Sequence, residues 1–329
     1  MLTKRQNLIE TIQGGHPDRY VNQFEPYVMI PNPYSVANRN PKMGEENVVN
    51  LWGVTKSWPA GTPGPFPIHD AAHIVCPDIT EWKKTVHAPN VVFSDEEWAP
   101  YVEMAEKVDR NEYFVTHYVA PGIFEQCHYL LEIQNCLIDF YEEPEAMHEL
   151  IDYITEWELK YAEEVCKHIH PDALFHHDDW GSQQSTFISP AMFEEFFLPA
   201  YKKVYGYYKD HGVKLIVHHS DSYAATLVPY MIEMGIDIWQ GVMNTNNIPE
   251  LIKKYGGKIT FMGGVDSATV DRPDWTREMV ATEVRKACES CGTKFYIPNT
   301  SQGGAMSTYP GVYEAVTEEI DKMSKELFK

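Results

Sequence analysis

From residue 113 onward, short β-branched or aromatic runs alternate with longer stretches of helical periodicity, and this alternation narrows the fold more than any other feature. Strands are predicted at 113–119, 173–177, 214–218, 237–242, 259–262 and 294–298. Helices are predicted between them, at 189–209, 223–233, 248–255, 276–289 and 309–328. Leu215-Ile216-Val217 and Phe295-Tyr296-Ile297 read as strands buried on both faces, which is the signature of a parallel sheet covered by helices. Gly212, Gly235 and Gly256-Gly257 fall where helices should end.

Six such units leave room for two more strands in the less regular stretch before residue 113, near 23–29 and 72–75. Eight strands make a (β/α)8 TIM barrel. The rival is an open doubly wound sheet, but no GxGxxG follows the first strand, and Gly14-Gly15 closes an amphipathic first helix. No linker or internal repeat divides the chain, so residues 1–329 are expected to form a single domain. Its irregular region, about 20–110, is expected to contribute loops over the barrel mouth. There the proline- and glycine-broken run from Trp58 to Phe66 cannot be regular helix or strand throughout.

Composition excludes some functions. A formal charge of −21 repels nucleic acid over most of the surface. No apolar run approaches the roughly 20 residues of a membrane span, and the first residues do not form a signal peptide, so a cytoplasmic address is expected. Six cysteines make no disulfide framework; Cys288 and Cys291 lack a partner pair or a nearby histidine and read as the last turn of a helix.

In a barrel, function collects where strands end. Here those positions are consistently polar: His117, then His177-Asp178-Asp179-Trp180, then His219-Ser220-Asp221, Gln240, Asp266 and Asn299. His219 and Asp221, two apart past an apolar strand, can share one side and serve as zinc ligands. The alternative is a histidine hydrogen-bonded to a neighbouring carboxylate without metal. His177 and Asp179 are acid–base candidates, because adjacent carboxylates push one pKa upward, although aspartates in turns also cap backbone N–H groups. Trp180, His117, Gln240 and Asn299 are candidate substrate contacts.

At these motifs the sequence resembles the uroporphyrinogen decarboxylase superfamily over essentially its whole length. The resemblance is carried by Thr3-Lys4-Arg5 through His16-Pro17-Asp18-Arg19, by Gly122-Ile123-Phe124-Glu125 with Tyr129, and by Asp179-Trp180-Gly181. His218-His219-Ser220-Asp221 and Phe261-Met262-Gly263-Gly264-Val265-Asp266 complete the set. It implies a barrel with its site at the carboxyl-terminal rim, and it places Tyr129 in the catalytic region. The superfamily holds both decarboxylases and corrinoid-linked methyltransferases. The decarboxylases' arginine-rich stretch after the first strand is missing, since Asn22-Gln23-Phe24-Glu25-Pro26-Tyr27 has no arginine, and Gln302 lies near the place of their late histidine. In the methyltransferases an HxC pair and a distant cysteine hold zinc. Here His219-Ser220-Asp221 puts Asp for Cys, and residues 299–310 contain no cysteine.

The resemblance therefore implies an O-demethylating methyltransferase that moves a methyl group from a methoxylated aromatic to the cobalt of a corrinoid carried by a partner protein. Zinc would sit on His219 and Asp221 with a third ligand unassigned; His177, Asp179 and Tyr129 would be the catalytic residues. A homodimer is an open expectation. The alternatives are a decarboxylase or lyase of a smaller carboxylate and a barrel that only binds.

Overall fold

The computed structural model describes residues 1–62 and 64–328. Seven parallel strands form one sheet in chain order: β1 (Tyr27–Met29), β2 (Phe114–Val119), β3 (Ala173–His177), β4 (Leu215–His219), β5 (Ile238–Val242), β6 (Thr260–Val265) and β7 (Tyr296–Thr300). Four helices matter most below: α1 (Lys4–Gln13), α2 (Ile123–Leu131), α3 (Pro144–Ile169) and α4 (Leu198–Asp210).

Strand alternation sorts the side chains into two cores. Tyr27, Phe114, Ala173, Phe175, Leu215, Val217, Ile238, Met262 and Ile297 come from all seven strands yet meet in one cluster, so the sheet is strongly curled around them. Leu8 of α1, with Ile9 and Ile12 against it, closes the amino-terminal end of that cluster. The alternate residues, such as Val115, Leu174, Ile216, Trp239, Phe261 and Tyr296, face outward and pack in the larger core with the helices. Thr3 and Gln6 form a capping box at the start of α1, and Gly14 ends it in the left-handed conformation.

The expected eighth strand is corrected. Residues 72–75 turn instead, because Asp70 takes up their backbone donors: its Oδ1 accepts from Ala72 N–H at 2.9 Å, and its carbonyl accepts from His73 at 3.0 Å and Ile74 at 3.2 Å. The first strand is also shorter than expected. Gln23 has φ 53°, and a turn closes from Glu25 N–H to the Asn22 carbonyl at 3.1 Å, so extended backbone starts only at Tyr27.

The expected helix over 189–209 is interrupted by a π turn at Phe193–Phe197 before α4. Pro199 has no N–H to give the carbonyl four residues back, so the ladder widens there.

Between β1 and β2 the chain builds a small antiparallel sheet from Val48–Val49, Thr55–Ser57 and Phe66–Pro67. Part of the Trp58-to-Phe66 run, Pro63, lies outside the described residues. Among the described residues no helix is long and apolar enough to cross a membrane.

Candidate functional site

Strand parity decides which polar residues reach the mouth. In β3 the inward set is Ala173, Phe175 and then His177; in β4 it is Leu215, Val217 and then His219. The two histidines are register partners, and their rings stack at 4.3 Å between centroids. Asp179, just past β3, lies between them: its Oδ2 is 3.6 Å from His177 Nε2 and its Oδ1 is 3.8 Å from His219 Nε2. One ligand atom from each of the three lies within 4.8 Å of the others.

The helix after β2 supplies a fourth group. Gly122 opens α2, and its N–H donates to the His177 carbonyl at 2.7 Å. A Cβ on Gly122 would fall 2.5 Å from His176 Cε1 and 2.6 Å from Asp178 Cβ, so only glycine lets the loop come this close. That approach brings Glu125 to the site, with Oε2 at 3.4 Å from His177 Nε2. The same Oε2 has no hydrogen-bond partner, while Oε1 accepts from Tyr129 Oη at 3.1 Å. Asp178 has a structural task. Its carboxylate accepts from the Phe124 and Glu125 N–H groups at 2.9 and 2.8 Å and from the Tyr201 hydroxyl, capping α2 from within the core.

Electrostatics divides the stacked pair. Burial works against a charged His177, but the charges of Glu125 and Asp179 outweigh it and raise its pKa well above the ordinary value. Burial and the neighbouring His177 lower His219 to about 4, so its ring is neutral. His219 Nδ1 faces Gln240 Oε1, an acceptor; the proton therefore sits on Nδ1, and Nε2 presents its lone pair to the cluster. Burial, followed by the charge of Asp179, pushes Asp221 up to about 8. Its backbone N–H donates to Asp179 Oδ1 at 2.9 Å.

These donors suit a divalent ion, which would displace the proton that Glu125 and Asp179 favour on His177. Two imidazoles and one carboxylate, one imidazole fixed through its second nitrogen and one position left open, match the donor set of catalytic zinc. Tetrahedral zinc bonds of about 2.0–2.1 Å set ligand atoms roughly 3.3 Å apart. The two separations from Asp179, 3.6 and 3.8 Å, are near that value, and the third lies within 4.8 Å. Glu125 Oε2, ion-paired with His177 at 3.4 Å, lies beside them.

Residues 117–323 match the uroporphyrinogen decarboxylase (URO-D) family. The chain belongs to that family. Among solved structures, a methyltransferase from Methanosarcina mazei is similar with a TM-score of 0.66 at 14% identity, over 98% of this chain and 99% of that one. At that identity the likeness speaks for fold. No curated protein matches the chain.

Within this URO-D frame, His177, Asp179, His219 and Asp221 come together, with Tyr129 joined through Glu125. The triad with its ligand atoms in reach uses Asp179, whereas the sequence had offered Asp221 with His219. His117 is turned away: it shares the outward face of β2 with Val115 and Val119 and packs against Tyr161 at 4.9 Å and Tyr208 at 6.1 Å. Trp180 also faces the helices, fully buried, stacked on His218 at 3.9 Å and donating from Nε1 to Tyr201 Oη at 3.1 Å. Gln240 orients His219, and Asn299 is buried in β7 with Nδ2 unpartnered.

Sequence reading passed over three residues. Tyr118, the neighbour of His117, has the inward parity and feels the charges of His177, Glu125 and Asp179. Glu125 stands four residues before Tyr129 on one helical face, a spacing legible beforehand. Lys56, on the middle strand of the small sheet, is buried with Nζ 4.5 Å from the centre of the Tyr129 ring. Burial lowers its pKa to about 8 against the pull of Glu125. Nothing in the local sequence marks it.

Proposed function

We propose that the chain is a methyltransferase that takes a methyl group from a methoxylated aromatic and passes it to the cobalt of a corrinoid on a partner protein. The observation that carries this reading is the His177–Asp179–His219 donor set with an open side, in a URO-D chain whose first-strand region, 22–27, has no arginine for a polycarboxylate substrate. Zinc held there would supply Lewis acidity to the ether oxygen as the methyl group leaves.

The protein's own groups do the rest. His177 and Asp179, acid–base candidates by sequence, act as ligands in this proposal, and Gln240 holds His219 in the ligating tautomer. Protons for the departing oxygen are kept on Asp221, whose raised pKa leaves it protonated at neutral pH, and on Tyr129 Oη. The nucleophile belongs to the partner, consistent with the absence of a serine or cysteine nucleophile motif. Residues from about 20 to 110 serve as the cover of one continuous domain, with curled strands completing a barrel, in a cytoplasmic enzyme.

The test is methyl transfer from guaiacol to reduced cobalamin with zinc supplied, followed by the absorbance change at cobalt. Turnover that disappears in His219→Ala is expected. No turnover across a panel of methoxyarenes by metal-loaded protein would abandon the reading. Lys56 favours a second one, a decarboxylase or lyase of a small carboxylate held by that buried ammonium; release of carbon dioxide without metal would identify it.

A further inference from the structure

Tyr118 is unusually bare for a strand residue of inward parity. Phe114 and Thr116 before it on β2 are closed off, and so is Phe175 on β3, yet Tyr118 is 44% exposed. Burial nevertheless raises its pKa, ahead of every neighbouring charge. A group crowded by protein and open to water at once lines a recess rather than a convex surface. His177 shares the condition, since burial is the largest influence on it and its side chain is still 27% exposed. Asp221 is partly exposed and likewise pushed up first by burial. The mouth beside the cluster is therefore an open recess, and Tyr118 is a large ring left uncovered in it.

A run of ring contacts ties Tyr118 to the metal-competent residues. It lies 5.8 Å from Phe175, Phe175 stacks on His219 at 6.4 Å, and His219 stacks on His177 at 4.3 Å. On the neighbouring strand Met29, in register with Thr116, has the same parity and is 39% exposed. The mouth thus has an apolar side on β1 and β2 and a ligating side on β3 and β4. A molecule with an apolar body and one reactive oxygen matches that division.

Tyr118 offers such a molecule two contacts. Its open ring surface favours a flat partner, because an aromatic ligand gains a quadrupole contact that a saturated ring of similar size lacks. Its hydroxyl has no hydrogen-bond partner among the described residues, whereas Tyr129 Oη is already given to Glu125. Burial, with the charges of Glu125 and Asp179 set against that of His177, keeps the proton on Tyr118, so the hydroxyl is a donor at neutral pH.

We propose that Tyr118 contacts the substrate directly: its ring seats the aromatic ring of the methyl donor, and its hydroxyl donates to an oxygen substituent of that ring. The inference rests on the methyltransferase reading for the fate of the bound ring, and it makes Tyr118 the residue that selects aromatic over saturated ethers.

Ligand-observed NMR titration of the whole protein checks this without metal, corrinoid or turnover. Guaiacol should bind about fivefold to tenfold more tightly than 2-methoxycyclohexanol, which carries the same oxygens on a saturated ring. Tyr118→Ala should weaken guaiacol about tenfold or more and erase that preference. Tyr118→Phe should keep the preference and weaken both compounds about fivefold, the loss of one hydrogen bond. Because phenylalanine keeps the ring and its packing, Tyr118→Phe decides alone if the alanine variant does not fold. The seat is overturned if guaiacol fails to bind, if the saturated compound binds as tightly, or if either variant binds guaiacol like the wild type. Binding with this pattern but no methyl transfer would keep the seat and discard the methyltransferase reading. Methyl transfer whose KM for guaiacol is unmoved by Tyr118→Phe would do the reverse.

Discussion

The two ends of the curled sheet treat buried charge in opposite ways. At the amino-terminal end, Asp172 is held between Arg5 at 3.0 Å and Arg110 at 2.8 Å and also accepts from the Val115 N–H at 3.2 Å. Asp237 nearby pairs with Lys209 and accepts from the Ile216 N–H at 2.7 Å. A cavity of about 360 Å³ sits at that end, yet the residues around it carry no comparable set of donors. At the carboxyl-terminal end, Glu125 and Asp179 flank His177, Asp221 lies beside Asp179 and Lys56 feels Glu125, while Gln240 Nε2 and Asn299 Nδ2 are left without partners. At one end the buried charges are paired and stabilise, although Tyr27 Oη is buried there without a partner; at the other the carboxylates crowd together, which is how a site that takes up a ligand differs from a scaffold.

The comparison breaks most readily at Asp172. Asp172→Ala strands two guanidinium groups, one of them nearly buried, and should cost about 3 kcal/mol or more in denaturant unfolding, with zinc affinity unchanged. An unaltered unfolding midpoint would mean that the paired end is not what holds the sheet. Asp179→Asn should behave in the opposite manner. The amide keeps an oxygen for the Asp221 N–H but removes a charged ligand, so zinc affinity should fall by about a hundredfold or more in competition with a chelator. Stability without metal should change little, because Asp221 can then ionise more easily while His177 keeps Glu125 as its counterion. If the variant unfolds instead, Asp179 belongs to the scaffold.

Gln240→Leu sharpens the contrast within the mouth itself. Leucine fills the place but cannot accept from His219 Nδ1, so the ring is no longer held in one tautomer. Zinc affinity should fall by about tenfold to a hundredfold, the usual cost of losing such an orienting partner, with little change in unfolding. Equal affinity in wild type and variant would remove Gln240 from the site.

The sequence-level reading of the sheet depended on runs long enough to show period. The strands over 173–177 and 237–242 are met within a residue, and the helix over 248–255 is met to the residue. What was not legible was parity. In a parallel sheet covered on both faces, inward and outward positions are alike apolar, so nothing in Phe114–Val119 says whether His117 or Tyr118 faces the mouth. His177 and His219 were easier because each is followed at once by acidic loop residues. Lys56 was illegible for another reason: its burial follows from tertiary docking of a short sheet on α2, which no local pattern announces.

The smallest effect tests whether an unpartnered buried group is in itself a sign of function. His117 also lacks partners on both ring nitrogens, yet it lies among Tyr161 of α3, Tyr208 of α4 and His176 of β3, away from the cluster. Burial, followed by the charge of His176, lowers its pKa to about 3. A histidine depressed in this way takes up its proton only when unfolded. Stability is therefore full above an unfolded pKa of about 6.5 and is lost progressively as pH falls from there towards the folded value. His117→Phe keeps a ring against the two tyrosines and removes the proton site. Between about pH 7.5 and about pH 5.5 the wild type should lose about 1 kcal/mol more than the variant. Zinc affinity and guaiacol binding at neutral pH should be the same in both. A loss of metal from His117→Phe would show that the outward face of β2 feeds the site, and the division between paired scaffold and crowded mouth would have to be redrawn along the strands rather than between their ends.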